Sequence, residues 1–277
     1  MKKSISMILA VIMLSSMVGC SASNVQNEDE KATVSSLLDQ IIDRGTVKIA
    51  VFSDVTPLGY TDSNNELTGI EIDIAKDLAE QLGVEVELVP TTNQNRIPYL
   101  QSEKVDMVIA AFSMTNERRK VVEFSDAYFR GGAVLVVNNE NVKTKDIKDI
   151  REMNGMKIAV AKGTMNDEYA TELAGDKNEI LRYDNVSDVY MALNTGKVDA
   201  LVEDVALAGY TIKREFPSLT TVGELLNVDV TGIGIRRGDQ ILLNWLDGYV
   251  FDLLSSGRMQ AICDKYGVDY YPASFEH

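Results

Sequence analysis

The chain writes one short pattern twice. KIAV occupies Lys48–Val51 and returns at Lys157–Val160, and YLQSEKVDMVIA (99–110) returns in outline as ALNTGKVDALVE (192–203). In both copies an apolar-faced helix ends in a polar turn, and Lys-Val-Asp then opens a buried strand. Two matches in the same order mark an internal repeat, so each half of the chain carries its own small α/β unit. Strand and helix patterns alternate around the first copy. TVKIAVF (46–52) reads as a strand, and IDIAKDLAEQLG follows as a helix with Ala75, Leu78, Ala79 and Leu82 on one face and Gly83 as its stop. VEVELVP (84–90) is again a strand, and the short helix RIPYLQSE leads into the strand VDMVIAA (105–111). This alternation predicts sheets with helices on both faces. Ligands of open α/β sheets bind beyond the carboxyl ends of the strands, which makes the residues just after each strand the ones to inspect. The GxG of TGIGIRRGD (231–239) lacks the helix and spacing of a dinucleotide fingerprint.

The start of the chain is of another kind. In MKKSISMILAVIMLSSMVGC a basic pair, Lys2 and Lys3, precedes an apolar run and the small Gly19 before Cys20. That is the pattern of a secretion signal, too short to rank first as a membrane span. MVGC resembles a bacterial lipobox, with Met17 where Leu is commoner, and so implies cleavage before Cys20 and a diacylglycerol on its sulfur. The polar, acidic stretch SASNVQNEDEKATVSS then reads as a tether. We expect a signal peptide over 1–19 and the tether over 20–44.

Charge and composition remove several function classes. The 277 residues carry a formal net charge of −15, and without Lys2 and Lys3 the balance is 25 basic against 42 acidic side chains, formally −17. Nucleic acid and anionic lipid surfaces are poor partners for such a chain. A lipid on Cys20, not charge, would hold it at a membrane. With Cys20 lipidated, Cys263 has no partner for a disulfide. The one histidine is the last residue, His277, so a zinc site and Ser-His or Cys-His nucleophiles have almost nothing to draw on. We expect no metal, no cofactor and no catalytic residue.

The strand ends carry the candidate chemistry. After VDMVIAA come Phe112-Ser113-Met114-Thr115 and then Asn116-Glu117-Arg118-Arg119. Thr115 can cap a helix there, and a hydroxyl, free amides and a guanidinium together make a carboxylate-binding corner. Arg119 is expected to be solvated, pairing with Glu117 or Glu123, and Arg118 to face a ligand. After KIAVA (157–161), Gly163 permits a tight turn and Thr164 can cap the helix DEYATELAG, either as a second anion corner or as an ordinary loop. Asp204, at the end of DALVED, suits an ammonium group or caps the helix that follows it. A carboxylate held by Arg118 and an ammonium held by Asp204 would describe the head of an α-amino acid.

TPLGYTDSNNELTGIEIDIAKDLAEQLG and RIPYLQSEKVDMVIAAFSMTNERRKVVEFSDAY resemble the polar amino-acid-binding proteins of ABC importers. The similarity runs from about Gly45 to Tyr266 and rests on the [ST]-x-T-x-x-R-x-x-x-x-x-F-S run and the later KVDA…D. The resemblance implies a two-lobed clamp of the periplasmic-binding-protein type II kind, each lobe a mixed sheet flanked by helices. Lobe 1 would span 45–130 plus 228–277, and lobe 2 would span 131–227. It further implies that Arg118 and Ser113 bind the ligand α-carboxylate with the backbone after Ala110 and Ala111, Phe112 lying within the same run. Amides near Thr164 and Met165 would close on it, and Asp204 would take the α-amino group. Phe52 stands where binders of cationic amino acids often have Asp, and Val55 and Asn93 stand where covering aromatics are common. Arg96 stands where many relatives have Leu.

A cationic ligand is therefore not expected, because the side-chain pocket would offer it Arg96 rather than an acid. Arg96 could equally brace an Asp or Glu of its own lobe. Cysteine or cystine, or the aspartate–glutamate pair, are the expected ligands. The family's role is capture for an ABC permease, outside the cytoplasm, by a monomer anchored through Cys20. A secreted cyclohexadienyl-type dehydratase and a sensor for a membrane receptor share the fold as alternatives.

Overall fold

The computed structural model describes residues 35–268 and Tyr270. Cys20, the signal segment and the acidic stretch through Val34 lie outside them. The expected tether ends earlier than residue 44, because Leu37–Arg44 form helix α1. Ser36 and Asp39 build a reciprocal capping box at its start, and Gly45 stops it in the left-handed conformation at φ 70°. Leu37 and Ile41, one turn apart, are buried in the core, and that burial makes the segment a helix.

From α1 the chain enters β1 (Thr46–Val51) and a small antiparallel sheet of β2 (Asp54–Val55), β3 (Gly59–Thr61) and β4 (Leu67–Thr68). Helix α2 (Ile70–Leu82), β5 (Glu85–Pro90), α3 (Arg96–Gln101), β6 (Met107–Val108), α4 (Asn116–Arg119) and β7 (Glu123–Gly131) follow. The second half runs β8 (Ala133–Asn138), β9 (Lys157–Ala161), α5 (Met165–Ala174), β10 (Glu179–Tyr183), α6 (Val186–Asn194), β11 (Ala200–Asp204), α7 (Val205–Arg214) and β12 (Leu219–Val222). The chain then returns through β13 (Asp229–Ile235) and closes with α8 (Gln240–Ser255) and α9 (Arg258–Tyr266).

Two five-stranded sheets result, ordered β5-β1-β6-β13-β7 and β10-β9-β11-β8-β12. Each has two parallel and two antiparallel pairings. The chain passes from the first sheet to the second between Gly131 and Ala133 and comes back between Val222 and Asp229. This is the two-lobed α/β architecture.

Alternation along the central strands explains the burial on both faces. Val47, Ile49 and Val51 enter one cluster with α2 and α8, while Ala50 and Phe52 enter another with Leu100 and Phe112. In the second sheet Ile158 and Val160 face one cluster, and Ala159 and Ala161 the other.

The repeat acquires a physical meaning here. The Asp106 carboxylate accepts the Lys48 amide at 2.8 Å, and the Asp106 amide donates to the Lys48 carbonyl at 2.9 Å. Asp199 repeats both bonds with Lys157, at 3.0 and 2.8 Å. The Asp of each Lys-Val-Asp thus pins the start of the neighbouring parallel strand. β6 is shorter than the expected 105–111, because ladder pairing stops at Val108 and Ala111 turns left-handed at φ 42°. That turn begins the site.

Candidate ligand-binding site

A left-handed alanine needs support from its surroundings. The Ala111 amide donates to Glu71 Oε1 at 2.7 Å, and its carbonyl accepts Arg96 Nη1 at 2.7 Å. Glu71 stands in the first turn of α2 and also accepts the Tyr128 hydroxyl on the same oxygen at 2.7 Å. Arg96 is 2 % exposed and spends the rest of its guanidinium on the carbonyls of Asn93, Ala110 and, from the second sheet's side, Gly163. Neither expectation for Arg96 describes it fully. It braces backbone carbonyls, not an Asp or Glu, and most of its donors are already engaged.

Thr115 caps α4, its hydroxyl accepting the Arg118 amide at 3.1 Å. With only four residues, α4 has its first and last turns in one place. The two are unequal. Arg118 is buried and donates to the carbonyls of Ser113 (3.0 Å) and Gly163 (3.1 Å). Arg119 is exposed and donates to the Met114 carbonyl at 3.3 Å, and among the described residues it pairs with neither Glu117, which holds Lys120, nor Glu123, contrary to expectation. Both buried guanidiniums stand close to the Phe112 ring, its centroid 4.9 Å from Arg96 Cζ and 5.4 Å from Arg118 Cζ.

The opposite wall starts at Gly163, whose φ of 77° turns β9 into α5. Thr164 caps α5 through the Asp167 amide at 3.2 Å, which leaves the Met165 and Asn166 amides without a partner among the described residues. Asp204 does cap α7, accepting the amides of Ala206 (2.9 Å) and Leu207 (3.4 Å), and its second oxygen accepts Gly132 at 3.1 Å. Its neighbour Glu203 accepts Asn166 Nδ2 at 3.0 Å and the Asp204 amide at 2.8 Å.

These walls enclose a cavity of about 90 Å³, several times the roughly 10–15 Å³ that one ordered water needs. Phe52, Arg96, Ala111, Ser113, Thr164, Met165 and Asp204 line it, as do Val55 and Asn93. Ala110, Phe112 and Arg118 do not. Ala110 and Phe112 turn into the core beneath, and Arg118 is held in the wall by its two carbonyls.

Sequence reasoning missed Glu71, Glu203, Asn227 and Asp229, which also line the cavity. Glu203 could have been found as the residue beside Asp204 at the same strand end. An acid in the first turn of a helix, such as Glu71, reads only as a dipole partner. Asn227 and Asp229 sit where the chain returns to the first sheet, and no local pattern distinguishes them.

Burial dominates the electrostatics. It pushes the Glu203 carboxyl up to about 7, with the neighbouring Asp204 charge adding to the rise. Burial likewise raises Glu71, Asp204 and Asp229, against hydrogen bonds that favour their charged forms and, at Asp229, the nearby Arg118. Burial and the Arg118 charge pull Arg96 below the usual guanidinium range. The expectation that the pocket offers a cation rather than acids is therefore overturned. Four carboxylates line the space beside the single, largely engaged Arg96.

The model of the bacterial extracellular solute-binding proteins, family 3, matches residues 47–269. The L-cystine-binding protein TcyJ of Escherichia coli K12 is 29% identical over 234 residues, covering 84% of this chain and 87% of TcyJ. The solved solute receptor for L-cysteine of Neisseria gonorrhoeae superposes with a TM-score of 0.77 at 32% identity, covering 84% of this chain and 93% of the receptor. The ancestral amino acid-binding protein AncCDT-1, a precursor of cyclohexadienyl dehydratase, gives 0.77 at 34% identity, covering 83% of this chain and 99% of that protein. Further relatives bind glutamine, arginine or histidine.

Proposed function

The chain belongs to the bacterial extracellular solute-binding proteins, family 3, and on that premise we propose that it captures one amino acid outside the cytoplasm and hands it to the membrane subunits of an ABC importer. The observation that carries the reading is the bipolar cavity. Ser113 and the free first-turn amides of α5 stand in the same space as the carboxylates of Asp204 and Asp229. That arrangement suits a zwitterion. Gly163 O, held by both Arg96 and Arg118, stands two residues before Met165. A ligand carboxylate displacing that carbonyl would meet Arg118 and the amides together. The ammonium would lie against Asp204, whose oxygens already order the start of α7.

Among ligands, cysteine or cystine is favoured over aspartate and glutamate. A second ligand carboxylate with no ammonium beside it would enter a space lined by Glu71 and Glu203 and find Arg96 occupied. Binding in TcyJ and the Neisseria receptor is consistent with that choice. The protein acts as a monomer, anchored by a lipid on Cys20 after removal of 1–19, with lobe boundaries near 131 and 228. It is a binder and not an enzyme.

A dehydratase is the second reading, because Glu203, neutral up to about pH 7 inside the cavity, is the kind of general acid such chemistry needs. One experiment separates the two. The protein is melted against the common amino acids, cystine and prephenate, and a ligand at a hundred times its Kd adds about 2.7 kcal/mol of stability. A shift with an amino acid supports capture. A shift with prephenate alone sinks it.

A further inference from the structure

The head-group chemistry leaves part of the cavity unused. Its lining also includes the apolar Leu58, Ile70, Phe129 and Val268, and two further lining residues each carry a buried polar atom without a partner among the described residues. The first is Glu71 Oε2. Glu71 is 1 % exposed and its Oε1 carries both the Ala111 amide and the Tyr128 hydroxyl, while Oε2 has no partner among the described residues. The second is Asn227 Nδ2. The Ala133 amide donates to the other side-chain atom at 2.6 Å, which identifies that atom as Oδ1 and leaves the NH2 group as the unpartnered one. A buried acceptor and a buried donor without partners are both costly, and both residues line the same space.

We propose that Glu71 and Asn227 form a distal subsite for a ligand end that carries both a hydrogen-bond donor and an acceptor. The inference rests on the capture of an amino acid at the head-group site and adds what its side chain must end in. The donor of that end points to Glu71 Oε2, and its acceptor receives Asn227 Nδ2–H. Two chemistries fit: the second α-amino-acid head of a disulfide-linked pair such as cystine, and a primary amide such as that of glutamine. A thioether or aliphatic terminus satisfies neither atom. Glu71 has a second effect on the site, because its other oxygen holds the Ala111 turn in place.

Isothermal titration of the full protein with cystine, glutamine, S-methylcysteine and norvaline tests this. The better of cystine and glutamine should bind at least tenfold more tightly than S-methylcysteine or norvaline, and which one wins identifies the distal group. Two near-isosteric variants then invert the poles. Glu71→Gln can keep an acceptor for Ala111 and Tyr128 and present an NH2 group, and Asn227→Asp keeps the acceptor for Ala133 and presents an oxygen. In each, the ratio of two-ended to one-ended affinity should fall about tenfold or more, a readout that general loosening of the site would not move. An unchanged ratio in both variants overturns the subsite, as does norvaline binding as tightly as cystine and glutamine. If no amino acid binds the wild-type protein, the capture reading fails and the subsite with it. Tight binding of the one-ended ligands alone leaves capture standing and removes only the subsite.

Discussion

The two halves share a scaffold and diverge at the strand ends. β1 with β6 and β9 with β11 are parallel pairs pinned by the same Asp–Lys exchange, and both sheets continue into an antiparallel pair. Past the strands the likeness ends. The first half follows β6 with a left-handed alanine, a four-residue helix and a buried arginine. The second follows β9 with a glycine turn into free helix amides, and β11 with the acid pair Glu203–Asp204. Repeated framework with opposite charge at the matched ends lets one fold face a zwitterion from two sides. The central parallel strands β1, β6, β9 and β11 constrain the framework, because they are buried on both faces, while the residues after them are free to differ.

The sharpest way to break this comparison is to remove the buried cation from one side. Arg118→Ala should weaken binding of any amino acid about 10²–10³-fold by titration calorimetry, as expected when a buried charged partner is lost; a loss below tenfold would mean that the second half alone holds the carboxylate. Next in size is the acid of the other half. Folded Glu203 keeps its proton up to about pH 7, while an unfolded carboxyl titrates near 4.5. Its contribution to stability is thus complete at low pH, declines between those values and is gone above them. Relative to wild type, Glu203→Gln should gain about 3 kcal/mol between pH 4.5 and 8 in urea titrations; a pH-independent difference would show that Glu203 ionises normally.

The shared part is tested by Asp106→Ala and Asp199→Ala. Each should destabilise by about 1–3 kcal/mol, and the first by more: each pairs with a basic side chain, Asp106 with Arg44 and Asp199 with Lys143, but Asp106 is the more buried at 6% exposed against 13%. A reversed order would show that burial of the Asp does not set the size of the effect. The caps come next: Thr115→Ala and Thr164→Ala should each cost about 1 kcal/mol in thermal melts. Only the Thr164 change, beside the free amides, should also weaken ligand by more than threefold. Arg119→Ala, the smallest, should alter stability by less than about 0.5 kcal/mol and leave affinity within twofold.

Much of this was legible in the residues because it is local. Helix caps at Thr115 and Thr164, the turn at Gly163 and the strand after each Lys-Val-Asp depend on neighbours within a few positions, and the structure has each of them, with β6 shorter than read. The contrast between Arg118 and Arg119 was legible too, since adjacent residues on a one-turn helix cannot share an environment. The helix at 37–44 was missed because an acidic, unpatterned stretch runs straight into it, and its apolar pair is short.

The return strand carries the other failure. Asp229 and Asn227 follow Arg96 by more than a hundred residues, and only sheet pairing brings β13 against β7 and β6. Arg96 shows the limit most plainly. Its position on α3 was readable, but its partners are carbonyls of Asn93, Ala110, Ala111 and Gly163, groups every residue possesses and no sequence marks. Periodicity, capping and the repeat settle which strands and helices exist, because they act along the chain. Which charges meet in the cleft, and which are already spent before a ligand arrives, depends on distances across it that arise only when two sheets fold against each other.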